Sequence, residues 1–194
     1  MKIFLSTTAA IVAALAFAAP AAAQRVPAAS IAVVDLGRVS SECTACRSAT
    51  AALQGQVTAL RARQQQLTAS LQSEGTAIQT AISALNGKTP DAALTARIRA
   101  VQAKQDSANA ELQRQQTQVQ RNQQYIQQQI DSRLGPVLDQ VMQRRGANLI
   151  VEAGSTLKVG SGLDVTADVL TALNAALPSL VTTAPAAPVT PPRR

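Results

Sequence analysis

Asn86-Gly87-Lys88-Thr89-Pro90-Asp91 is a helix stop followed at once by a helix start, and the fold hangs on it. Gly87 suits the left-handed C-cap that closes a helix. Thr89 stands where an N-cap belongs, with Pro90 at the first helical position and Asp91 in the first turn. Working outward, apolar residues recur at heptad spacing on both sides. Before the turn, one row is Val57, Leu71, Ile78 and Leu85 with Gln64 interrupting; a second is Leu53, Leu60 and Leu67, fading into Glu74 and Ala81. After it, Ile98, Leu112, Val119 and Ile126 make one row and Leu94, Val101 and Ala108 the other. Rows of this spacing form a coiled-coil seam. The sequence thus predicts a long antiparallel α-helical hairpin over residues 43–145 with its tip at 86–90. An arm of about 37 residues is about 55 Å long at 1.5 Å per residue, so it must project from whatever body carries it.

The return arm runs through a Gln-rich segment, Gln113 to Gln129, where Leu112, Val119, Ile126 and Ile130 keep helical spacing. Gly135-Pro136 predicts a kink or break, because proline lacks the N–H an interior turn needs. The pattern resumes with Val137, Leu138 and Val141, and Arg144-Arg145-Gly146 closes the helix.

Both flanks supply strands. Ile31-Ala32-Val33-Val34 is a β-branched run that fits one, and Ser40 or Ser41 is placed to cap the coming helix. On the far side Asn148 to Glu152 reads as a strand and Leu157-Lys158-Val159 as a short second one, followed by a Gly160-Ser161-Gly162 loop. A last helix runs to about Ala176, capped by Asp164 or Thr166, with Val165, Val169, Leu170 and Leu173 as its buried face. Pro178 stops it, and the Pro/Ala-rich tail 178–194 offers no basis for a core and is expected to be disordered. The expected class is α+β: residues 24–42 and 146–177 form one small β-rich body, and the hairpin interrupts it.

Residues 1–23 read as a secretory signal peptide: Lys2, an apolar stretch from Ile3 to Ala19, and Ala21-Ala22-Ala23 before the cleavage point. A membrane anchor is the alternative, which Pro20 and the Ala-rich exit disfavour. Nothing later in the chain approaches the roughly 20 apolar residues that span a bilayer. Loss of the leader removes Phe4 and Phe17, leaving Tyr125 as the lone aromatic; Trp and His are absent throughout. Ala dominates the apolar fraction of 46%. At about 25 cal/mol per Å² of apolar surface removed from water, such a seam is thinly stabilised, which predicts a mobile tip and self-association.

The 18 Lys and Arg outnumber the 11 Asp and Glu. Basic side chains recur along both arms: Arg61, Arg63, Lys88, Arg97, Arg99, Lys104, Arg114 and Arg121. They are either solvated helix faces or a positive field that attracts anions. An exported chain without stacking aromatics argues against nucleic acid, which leaves acidic unfolded polypeptide or anionic lipid.

Cys43 and Cys46 are the only cysteines. Their spacing admits three readings: a short structural disulfide of an oxidising compartment, a redox pair, or two ligands of a pooled zinc site. No βαβ pattern follows to support the second, and no His or carboxylate cluster supports the third. Without His a Ser-His-Asp triad is impossible. Gly160-Ser161-Gly162 lacks the Gly and Lys of a phosphate-cradling loop. No catalytic residue, metal or cofactor is expected.

The layout resembles the OmpH/Skp family of periplasmic chaperones. The likeness rests on Ile31-Ala-Val-Val-Asp-Leu-Gly-Arg-Val39, the Gln-rich hairpin, Leu149-Ile-Val-Glu-Ala153, and Leu163-Asp-Val-Thr-Ala-Asp-Val-Leu-Thr-Ala-Leu-Asn174. It covers about residues 31–175, and Cys43-Thr-Ala-Cys46 lies outside the family pattern. The resemblance implies a homotrimer with projecting arms around a cavity. It also implies an ATP-independent holdase that shields unfolded outer-membrane β-barrel proteins. On that reading Arg61, Arg63, Lys88, Arg97, Arg99 and Lys104 are candidate client-facing charges, with anionic lipid or lipopolysaccharide as a further contact. The alternative is a structural adaptor that spaces envelope components.

Overall fold

The computed structural model describes residues 28–186. The leader 1–23 and the end of the tail, 187–194, lie outside the described residues.

Strand β1 (Ile31–Val34) is followed by a short helix α1 (Leu36–Glu42), then the long helices α2 (Thr44–Ala84) and α3 (Ala92–Arg145). Strand β2 (Leu149–Glu152), two single 3₁₀ turns and helix α4 (Thr166–Ala176) complete the described chain. β1 and β2 pair in parallel, Ile31 against Leu149 and Val34 against Glu152. Parallel neighbours need a long crossover, and here α1, α2 and α3 together are that crossover. Val165 N–H donates to the Val33 carbonyl at 2.9 Å, so the segment before α4 lies along the other edge of β1.

The core sits at this end of the molecule. Val34, Val39, Cys43, Val141, Val169 and Leu173 are each no more than 2% exposed, and Leu36, Ile130, Leu134 and Leu138 pack around them. The body expected to be β-rich is mostly helical: two four-residue strands carry one face, and α1, α4 and the bases of α2 and α3 supply the rest.

The helices of 41 and 54 residues correspond to about 60 and 80 Å at 1.5 Å per residue. Partners pair in opposite order along them: Gln56 with Asn122, Arg63 with Glu111, Glu74 with Lys104. α2 and α3 therefore lie side by side and run in opposite directions. Their apolar rows are half-buried throughout, with only Ala108 and Ile126 fully covered beyond the base.

Several local expectations are corrected. α1 begins before Ser40 and Ser41, because the Asp35 carboxylate accepts from Arg38 N–H at 2.8 Å and caps a turn there. α2 then starts afresh, with Cys43 Sγ accepting from Cys46 N–H and the Asn174 side chain accepting from Thr44 N–H. At the tip both Asn86 and Gly87 are left-handed (φ 48° and 85°). The cap of α3 is Asp91, not Thr89: its carboxylate takes Leu94 N–H at 2.7 Å, which leaves Pro90 outside the helix. α3 also runs unbroken through Pro136. Ile130 and Leu134 before the proline and Val137 and Val141 after it pack into the same core, so tertiary contacts keep both halves in one continuous helix. Gly146 (φ 64°) closes α3 as expected.

Residues 157–159 form no strand; Leu157 stands fully in solvent, away from any strand that could pair with it. Val165 takes the N-cap position of α4 without a side-chain bond. Asp164 instead accepts from Thr166 N–H, and Thr166 Oγ1 is turned toward Asp35 N–H.

The largest correction concerns the tail. Residues 180–185, expected to be disordered, run back along α2 and α3. Leu180 packs on the core and Ala184 is 9% exposed.

Candidate functional site

Three sets of residues invite a functional reading: the basic side chains of the arms, the cysteine pair, and the amides that meet the tail.

The six arm residues separate into two kinds. Arg63 donates to both Glu111 oxygens, Nε at 2.7 Å and the second nitrogen at 3.1 Å. Lys104 pairs with Glu74 and also donates to Ser70 Oγ at 2.8 Å. These two fasten one arm to the other. Hydrogen bonding by Arg63 holds the Glu111 carboxyl below its usual range, and Lys104 does the same to Glu74. Arg61, Lys88, Arg97 and Arg99 are exposed and, among the described residues, enter no salt bridge. They are spread along the hairpin and at its tip, and their charge faces solvent. A row of exposed charges of one sign attracts an anionic partner, an effect that weakens with salt.

Cys43 and Cys46 are joined as a disulfide within the body. Both are nearly fully buried in the hydrophobic cluster that contains Val39, Val141 and Val169. Buried apolar surroundings suit an inert structural link, whereas a redox pair needs an approachable sulfur.

The tail site was not anticipated. Gln129 Nε2 donates to the Val181 carbonyl at 2.9 Å, and Val181 N–H donates back to Gln129 Oε1 at 3.0 Å. Gln56 Nε2 donates to the Thr182 carbonyl at 3.2 Å. Asn122, 3% exposed, accepts Ala184 N–H at 2.8 Å while its own amide nitrogen donates to Gln56 Oε1 at 2.7 Å. Gln118 and Arg121 donate to the Ala184 and Pro185 carbonyls. A signal for this was present: the row Leu94, Val101, Ala108 continues at the same spacing as Gln115, Asn122 and Gln129. A seam row that turns from apolar to amide needs polar partners once covered.

Residues 30–173 match the family described as outer membrane protein (OmpH-like). The chain belongs to this OmpH-like family. A crystal structure of an OmpH-like protein from Caulobacter crescentus CB15, named as a candidate outer membrane chaperone, has a similar fold. It is 18% identical, with a TM-score of 0.67 over 81% of this chain and 90% of that one. No curated protein matches this chain in sequence. The OmpH-like family match includes the strands, the long helices and the start of α4, and ends before the tail.

Proposed function

We propose that this OmpH-like chain is an ATP-independent holdase of the periplasm. It binds unfolded outer-membrane β-barrel proteins in transit and keeps them from aggregating, acting as a homotrimer whose arms enclose the client. The observation that carries this reading is the pair of long helices projecting from a small core, with an outer surface of Gln, Thr and Arg. Such a surface makes many weak contacts with many sequences, which allows release without a nucleotide. The free charges of Arg61, Lys88, Arg97 and Arg99 raise the encounter rate with acidic precursors, and the same field can contact anionic lipid or lipopolysaccharide. Exposed apolar side chains on the body, Ile31, Leu149 and Leu163, support self-association there. The disulfide fits an oxidising compartment, and the leader read over residues 1–23 fits export to it.

Light scattering from a barrel protein diluted out of urea, with and without this protein lacking residues 1–23, tests the reading. Suppression in nucleotide-free buffer, saturating near three chains per client, supports it. Undiminished scattering in the presence of the folded, helical protein would turn the assignment to an envelope adaptor.

A further inference from the structure

We infer that the amide row of Gln56, Gln118, Asn122 and Gln129 is a binding site for extended polypeptide main chain, filled at rest by the chain's own residues 181–185. The inference rests on the reading that the arms receive unfolded polypeptide, and it places one point of capture at the base of the arms.

Every polar contact the arms make to this segment addresses its backbone. The N–H groups of Val181 and Ala184 and the carbonyls of Val181, Thr182, Ala184 and Pro185 are all engaged. Val181 and Thr183 are exposed, Thr182 is partly covered, and Ala184 alone is buried. Contacts of this form do not read sequence beyond a preference for a small residue at the Ala184 position. That is the recognition a client-tolerant chaperone needs, and it repeats with side-chain amides what a sheet edge does with main-chain groups.

The amides are set in advance. Asn122 is held from both arms, its nitrogen by Gln56 and its oxygen also by Gln118 Nε2 at 2.8 Å. Its oxygen is therefore presented as an acceptor toward the groove. When a client leaves, the tail is the segment at hand to cover Asn122 and Gln129 again. Beside Thr183 the groove continues toward the tip as an open space of about 530 Å³ between Leu60 and Arg63 on α2 and Gln115 and Val119 on α3. A client chain has room there to extend past the stretch that residues 181–185 cover. Because the tail is tethered, its effective concentration is on the order of millimolar, and it masks the site's intrinsic affinity.

The test uses the full chain without residues 1–23 and a fluorescein-labelled peptide, Ser-Leu-Val-Thr-Thr-Ala-Pro-Ala, which copies residues 179–186. The double variant Val181→Pro/Ala184→Pro removes the two tail N–H donors and leaves the groove intact. It should bind the peptide at least fivefold more tightly than the parent, by anisotropy. The same peptide N-methylated at its Val and second Thr-following Ala should bind neither protein. Adding Asn122→Ala and Gln129→Ala should return the affinity to the parent's level or below. If the proline variant melts earlier yet binds the peptide no better, the tail is a structural strap and the inference falls. The barrel-aggregation assay run alongside separates the two readings. Suppression without tighter peptide binding by the proline variant sinks only the groove, and tighter peptide binding without suppression sinks only the holdase.

Discussion

Arg63 lies fork-on-fork against Glu111, 48 residues away in sequence, and with Lys104 on Glu74 it fixes the register of two helices whose apolar seam is only half-buried. Both carboxyls are held below their ordinary range by these bonds. A carboxylate with a depressed folded pKa contributes stability above its unfolded value and loses it as pH falls through the folded one. Stability should therefore hold at neutral pH and decline modestly below about pH 4.3, the ordinary glutamate value, because solvent-exposed pairs contribute little each. The variant Glu74→Gln/Glu111→Gln should melt earlier than the parent at pH 7 and decline less steeply on acidification. Added salt should narrow the gap at pH 7, because both pairs face solvent. Circular dichroism melts over a pH and salt grid decide it, and parallel pH curves for the two proteins would refute it.

Thr166 is the joint between the strand layer and α4. It is 1% exposed, its hydroxyl accepts from Asp35 N–H at 2.9 Å, and its own N–H donates to Asp164. Thr166→Val keeps the shape and leaves Asp35 N–H without its acceptor, a loss of about 1–3 kcal/mol. Thr166→Ser keeps the hydroxyl and should cost about 1 kcal/mol for the lost buried methyl. Urea unfolding of the two variants should rank them in that order.

The disulfide closes a very short loop, so the chain-entropy gain it brings is bounded at about 2 kcal/mol. Reduction should lower the urea midpoint modestly and leave helicity in place, since Cys43 and Cys46 keep their packing against Val39 and Val141. Cys43→Ala/Cys46→Ala should cost more than reduction, because it also removes buried sulfur and opens space in the core. A reduced protein that unfolds outright in buffer would overturn this account.

Features written in local chemistry were legible in the sequence. Asn86-Gly87 takes left-handed backbone at little cost, Gly146 likewise, and heptad spacing holds for both arms. What failed needed knowledge of neighbours. Thr89 and Asp91 are both good caps, and only the geometry of the tip chooses the carboxylate. Pro136 breaks an isolated helix, yet core packing on both sides of it keeps α3 whole. Leu157 to Val159 has strand-forming residues but no strand to pair with. The tail's order is carried by Asn122 and Gln129 on another element, so its own composition of Ala, Thr and Pro gave no sign of it.

Ile31 and Leu149 are register partners at the mouth of the two-stranded sheet, and they remain 42% and 45% exposed, close to Leu163 at 46% in degree of exposure. Apolar side chains left exposed together at this end of the sheet call for cover by another apolar surface. A second and third copy of the body would supply that cover under the proposed trimer. Ile31→Asp/Leu149→Asp places two carboxylates where an assembled interface would exclude water, and unpaired buried charge is strongly disfavoured. The variant should sediment as a monomer while the parent sediments as a trimer, with far-ultraviolet spectra alike because the Val34 and Leu173 core is untouched. Identical sedimentation of the two proteins as trimers would move the interface away from this edge, and a monomeric parent would remove it altogether.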